Sequence, residues 1–285
     1  TREFTDKLSG ELGLRQGVYA QLGEGKVYQY PGNAPNPDLD PSDSLFYGSA
    51  EVMKRYQGLE PRIALRYMMR PDFSLKLSYN RNFQYVQIAS NSSAGLPIDR
   101  WVLADQYIRP IQSDQVSVGI FHNFDQNRWE LSVEGYYKEL QHVIDLRNGA
   151  RILLSDQVET ELLSGRGWAY GAEFLLRKNK GKTTGWLGYT WSRAWRQIDG
   201  ISRNEPYNPR FDRPHDVSLV LNHQFSSAWS AGLTFVYTSG QAVSFPVGSY
   251  ELDNQTVPLY SDYRNENRFP DYHRLDASVT WKNPD

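Results

Sequence analysis

There is no cysteine in the 285-residue sequence, which rules out a disulfide framework, a thiolate metal centre and a cysteine nucleophile, and leaves the redox compartment open. No apolar run approaches the roughly 20 residues that a membrane-spanning helix needs, so a helical membrane protein is excluded. The opening TREFTDKLSG has neither the basic nor the apolar region of a signal peptide. Charge of one sign is also scarce. The 31 basic and 33 acidic residues leave a formal net charge of -2 with no long like-charged run, and no nucleic-acid partner is expected. Aromatic side chains are abundant: 14% of residues, with 19 Tyr and 8 Trp, in a chain of polar mean hydropathy. That excess of rings needs an apolar or interfacial place to sit.

The stretch Trp129 to Leu140, WELSVEGYYKEL, separates two faces. In an extended chain Trp129, Leu131, Val133, Gly135 and Tyr137 fall on one side, and Glu130, Ser132, Glu134, Tyr136 and Lys138 on the other. Ten such segments recur: Leu8 to Ala20, Arg62 to Arg70, Phe73 to Gln84, Asp114 to Phe124, Trp129 to Leu140, Ala169 to Arg177, Trp186 to Trp195, Asp216 to Phe225, Trp229 to Thr238 and Arg274 to Trp281. Most approximate the 9 to 11 residues of a tilted membrane strand.

The spacers fall into two classes. Those at residues 71–72, 125–128, 179–182 and 226–228 are short and rich in turn formers. Five others are long: Gln21 to Pro61, Tyr85 to Ser113, Gln141 to Trp168, Arg196 to His215 and Ser239 to His273. Loops beyond about 12 to 15 residues are uncommon in compact soluble domains, whereas an up-and-down membrane barrel has short turns at one end and long loops at the other. Trp129 and Trp229 each follow a short turn, and Tyr137 and Tyr237 stand eight residues later in the same phase. That interval climbs roughly 20 Å along a tilted strand, the height of a lipid-facing band between two aromatic girdles. Phe73, Tyr79, Tyr189 and Trp191 join the same belts. The expectation is an all-β, antiparallel, up-and-down transmembrane β-barrel with the greasy face turned to lipid.

Several phrases resemble TonB-dependent outer-membrane transporters, particularly receptors of the kind abundant in Bacteroidetes. They are LEPRIALRY (59–67), SLKLSYNRNFQY (74–85), SDQVSVGIFHNF (113–124), GWAYGAEFLLRKNKGKTTGWLGYTWSR (167–193), FDRPHDVSLV (211–220), TSGQAVSFP (238–246) and NRFPDYHRLDASV (267–279). The resemblance implies a 22-stranded barrel around a plug domain, in the bacterial outer membrane, importing a solute with energy from a periplasmic TonB complex. It covers the barrel only. About ten strands are present, with no plug segment or TonB box, and the sequence stops at WKNPD. Residues 1–285 are therefore expected to be part of one barrel domain, with the plug and closing strands elsewhere in the natural polypeptide. A lipoprotein lid over the loops is a further conceivable partner, and the solute class stays open among small solutes, glycans, peptides and chelates.

Other chemistry finds little support. Gly181-Lys182-Thr183 mimics the end of a phosphate loop, but Leu176 occupies the position of its first glycine. Asp212, His215 and Asp216 lack a third histidine nearby, and the remaining histidines are scattered at loop and strand ends. No HExxH or GxSxG occurs. Neither a metal, a cofactor nor an enzymatic activity is expected. The sequons at Asn91 and Asn254 are short matches that chance explains.

Candidate residues divide between lumen and loops. In the polar phase stand Lys76, Glu130, Glu134, Lys138, Glu173, Arg274 and Asp276, a wall suited to water, a plug or a passing solute. Leu175, Val220 and Val236 break that polar phase. In the loops, Trp101, Tyr107, Tyr207, Arg210, Tyr250, Tyr260, Tyr263 and Arg264 combine flat rings with hydrogen-bonding tips suited to ligand capture, with packing within the loops as the plainer reading. Two other readings remain open: a passive porin or structural barrel, and a soluble all-β carbohydrate-binding domain.

Overall fold

The computed structural model describes residues 2–89, 100–150, 152 and 155–283. Eleven strands form one antiparallel sheet in strict chain order. They are β1 (Arg2–Glu3), β2 (Leu8–Leu22), β3 (Val52–Arg70), β4 (Phe73–Gln84), β5 (Ile111–Phe124), β6 (Trp129–Leu146), β7 (Leu162–Lys178), β8 (Thr183–Gln197), β9 (His215–Gln224), β10 (Trp229–Thr238) and β11 (Tyr272–Trp281). Helical structure among the described residues is confined to three short 3-10 turns. The ten expected segments are all strands, and β1 adds a two-residue pairing that the alternation did not signal.

The short turns sit at one end and the five long connections at the other, because every neighbour pair is antiparallel and sequential. Pro71 and Asp72 alone separate β3 from β4. Between β5 and β6, Arg128 N–H donates to the Asp125 carbonyl at 3.0 Å. The long-connection end differs from the sequence reading in extent. Strand β3 starts at Val52 rather than Arg62, β6 runs on to Leu146, and β7 begins at Leu162. Pairing of β3 with β4 begins at Arg62, directly after Pro61, which has no N–H to offer a ladder. Pro61 therefore made β3 read as shorter than it is. The long connections also contain hairpins of their own, Gly25–Gln29 with Asp43–Tyr47, Val86–Ala89 with Arg100–Leu103, and Pro246–Leu252 with Gln255–Tyr260.

Register fixes the two faces. Across the sheet Tyr67, Leu75, Ile120, Val133, Phe174, Tyr189, Val217 and Tyr237 are successive partners in one row. The row below it holds Leu131, Leu176, Leu187, Leu219, Phe235 and Leu275. Many large apolar side chains of this face stand in the open, such as Leu12 at 76% and Val118 at 57% exposure. A continuous apolar sheet face of that extent is unlike the surface of a soluble monomer. Burial is concentrated elsewhere, in two clusters at the long-connection end. Both clusters draw on the end of β6, where a bulge at His142, with φ of 60°, shifts the β6–β7 register between Gln141 and Val143. Val143 and Asp145 then share one side and Ile144 and Leu146 the other.

Candidate functional site

Every residue read as lumen-facing lies on the second, polar face. Lys76, Gly119, Glu134, Glu173, Thr190 and Asp216 are consecutive cross-strand partners. Glu130 pairs in register with Arg177, and their side chains approach to 3.6 Å. Arg274 and Asp276, two residues apart on β11, form a 2.8 Å ion pair. Lys76 places its Nζ 4.0 Å from the Phe121 ring centroid, and Lys138 lies level with Gln115 and Ala169. A recess of about 320 Å³ opens on this face, lined by Ser132, Glu134, Glu173, Leu175, Trp186 and Asp216 among others. Leu175 and Val236 share one row of the polar face with Gly188 and Ser218, and Val220 stands in the next row beside Trp186. The wall is thus polar with an apolar patch set into it.

The loop candidates separate into two groups. Trp101 is 68% exposed, opposite Ile88 on the hairpin whose other face buries Gln87 and Val102. Tyr250 and Tyr260 are exposed on the hairpin Pro246–Leu252 with Gln255–Tyr260. These three rings offer contact area at the long-connection end. The others are engaged within the loop layer. Tyr207, at 3% exposure, is a core residue rather than a surface one, packed with Val143, Ile198 and Ile201, and its hydroxyl donates to Asp145 Oδ2 at 2.8 Å. Arg264 brings Nη1 to 2.9 Å from Asp145 Oδ1 and donates to the Leu146 carbonyl and to Asn148. Tyr107 donates to the Tyr28 carbonyl at 2.9 Å. Tyr263 lies under the Arg203 guanidinium, which is ion-paired with Asp262. Arg210 is half-buried.

Three carboxylates organise this layer: Asp145 and Glu159, which the sequence did not single out, and Asp212, weighed there only as a metal ligand. Asp145 gathers Tyr207, Arg196 and Arg264, tying the ends of three connections together. Asp212, 2% exposed, is held by Arg268, lies 3.6 Å from Arg193 Nε, and accepts the Ala194 N–H at 2.6 Å. Its role beside His215 is therefore ionic, and no group of metal-ligating side chains occurs among the described residues. His215 instead meets the Tyr189 hydroxyl at 2.9 Å. Glu159 accepts the Tyr30 hydroxyl at 2.8 Å. Burial, followed by the Glu159 hydrogen bond, pushes the Tyr30 phenol up, and burial likewise raises the carboxyls of Glu159 and Asp105. The sequon at Asn91 lies outside the described residues, and Asn254 occupies the tip of an exposed hairpin.

A family model described as TonB dependent receptor-like, beta-barrel, matches residues 1–285. No curated protein matches. Among solved structures, the ferric-catecholate import receptor Fiu of Escherichia coli K12 is similar over 99% of this chain and 37% of its own, with 13% identity and a TM-score of 0.63. The ferripyoverdine receptor of Pseudomonas aeruginosa, bound to ferripyoverdine, matches 99% of this chain and 31% of its own, with 13% identity and a TM-score of 0.60. The copper transporter OprC matches 98% and 37%, with 11% identity and a TM-score of 0.58. At such identities the likeness is one of fold. The chain spans about a third of the length of these structures.

Proposed function

The chain belongs to the TonB-dependent receptor-like β-barrel family, and from that premise we propose that it forms part of the wall and mouth of an outer-membrane receptor that captures a solute and imports it with TonB-supplied energy. The barrel would close with strands beyond those in this chain, toward the 22 that the resemblance implied. The observation that carries the reading is the separation of the sheet into one exposed apolar face and one charged face, kept in register across the ten long strands. Apolar residues outward and polar residues inward is the arrangement of a barrel in lipid. The soluble carbohydrate-binding alternative leaves that apolar face without an environment.

The inner face favours a filled lumen over an empty pore. Glu134 and Glu173 stand opposite each other, with no ion pair to either among the described residues. Like charges so placed repel unless a cation meets them. A plug domain presenting Arg or Lys, beside apolar side chains for Leu175 and Trp186, satisfies both halves of the recess. Trp101, Tyr250 and Tyr260 would meet an incoming glycan, peptide or chelate first, at the mouth, and transport rather than catalysis is the activity proposed.

The test is uptake by cells carrying the full-length receptor, with and without a working TonB system. Solute accumulation that requires both receptor and TonB supports the reading. Accumulation indifferent to TonB identifies a passive channel instead.

A further inference from the structure

The short-turn end carries a feature remote from the loops proposed to capture the solute. On the apolar face a row of rings crosses three strands: Phe73 on β4 meets His122 on β5 edge-on at 5.5 Å, His122 meets Phe124 at 5.2 Å, and Phe124 stacks on Trp129 of β6 at 6.2 Å and 4°. Cations cap both ends. The Arg70 guanidinium lies 5.8 Å from the Phe73 centroid, and Lys178 Nζ lies 5.3 Å from that of Trp129. Rings flanked by cations suit the plane where acyl chains meet headgroups.

Beside the Lys178 cap, the turns at 125–128 and 179–182 border an open recess of about 180 Å³, lined by Asp125, Gln126, Arg128, Lys178, Lys180 and Gly181. It holds three cations and one carboxylate, and Arg128 pairs with Asp125 at 3.0 Å. Lys180 is positioned by its hydrogen bond to the Gln126 carbonyl at 2.8 Å. Gly181 takes a φ of 104°, which lets the turn fold over without a side chain in the recess. At about 30 Å³ per water, the space exceeds that of several solvent molecules.

We propose that this recess binds the phosphodiester of an anionic phospholipid from the leaflet at the short-turn end, its acyl chains lying along the ring row. The proposal rests on the outer-membrane reading above. Charge selects a phosphate, and the continuity of the recess with the apolar face through Lys178 and Trp129 selects a lipid over a free anion. A basic side chain at an anionic lipid surface strengthens association about fivefold.

Full-length receptor, purified in detergent and shown to be heat-modifiable, is incubated with phosphatidylglycerol or phosphatidylcholine, and retained lipid is counted by native mass spectrometry. Wild type should hold phosphatidylglycerol in preference. Arg128→Gln, Lys178→Gln and Lys180→Gln should each weaken retention about fivefold, whereas Lys178→Arg with Lys180→Arg should preserve it. The same charge removed at the other end, by Lys26→Gln, Lys54→Gln and Arg55→Gln together, should change nothing. Because Arg128 and Lys180 lie in turns, their single variants are read even if the Lys178 variant fails to fold. Equal retention by those variants, or displacement of the lipid by millimolar inorganic phosphate alone, overturns the site while leaving the barrel reading intact. A wild-type protein that is never heat-modifiable overturns the barrel reading itself and the lipid site with it.

Discussion

Glu134 on β6 stands directly opposite Glu173 on β7, and its other cross-strand neighbour, Gly119, is a residue on which a Cβ would come within 3.1 Å of Glu134 Oε2. Two like charges therefore share one row of the polar face, and the glycine beside them leaves the Glu134 carboxylate room to lean over β5, away from Glu173. The arrangement weakens an empty wall and suits a filled one.

We expect Glu134→Gln with Glu173→Gln to loosen the seating of the plug in the full-length receptor by about 1.5–3 kcal/mol, the net worth of hydrogen bonds to charged groups. Planar-bilayer conductance should rise while heat-modifiability is kept. Conductance equal to wild type would mean that these carboxylates do not hold the plug.

The orientation of the wall has its own test. Leu233 pairs with Leu221 and Ala277 on the apolar face, midway between Trp229 and Tyr237, while Thr234 pairs with Val220 and Asp276 on the polar face. Arginine at the middle of a lipid-facing band costs about 2–4 kcal/mol. Leu233→Arg should depress folding into vesicles by that amount and Thr234→Arg should not. Equal tolerance of the two would reverse or remove the lipid assignment.

Loop-layer integrity should depend on Asp145. Tyr207→Phe deletes one hydrogen bond to a carboxylate, a loss of about 1.5–3 kcal/mol. Arg264→Met should cost at least as much, because it leaves that half-buried charge with one cation fewer. Amide exchange in residues 198–214 should accelerate in both variants while the β6–β7 ladder below His142 stays protected.

A pH dependence follows from Glu159 and Asp105, whose carboxyls burial holds above the ordinary range. The folded state binds protons that the unfolded chain has released, so stability from these groups is complete below about pH 4 and declines as pH rises through the raised values. Exchange near Tyr30 and Tyr107, corrected for its intrinsic pH dependence, should quicken over that window. Glu159→Gln should flatten the response near Tyr30. A profile unchanged by that substitution would place the sensitivity elsewhere.

Ligand capture should track exposure. Trp101→Ala, Tyr250→Ala and Tyr260→Ala in combination should weaken binding of the native solute at least tenfold, since exposed aromatic anchors dominate many interfaces, with no change in barrel stability. Deleting the tips of the loops at 85–113 and 239–273 should abolish capture while leaving a membrane-inserted barrel. Affinity equal to wild type would move the site down into the lumen.

How far the sequence alone reached differs between wall and loops, and the reason is physical. Alternation is a local property with a period of two, so WELSVEGYYKEL was enough to assign Trp129 and Glu134 to opposite faces, and the short spacers were enough to place the hairpins. Pro61 misled that reading of β3, because a proline tolerated at the margin of one ladder looks like a strand end. What only the tertiary structure decided depends on contacts far apart in the chain. The bulge at His142 inverts the alternation of β6 without any glycine to announce it, and Arg264 reaches the Leu146 carbonyl across 118 positions. Tyr207 and Tyr250 are equally plausible captors in sequence, yet one is packed beside Asp145 and the other stands in the open. A side chain's residue type sets what it can bind, whereas its burial is set by which distant segments fold over it.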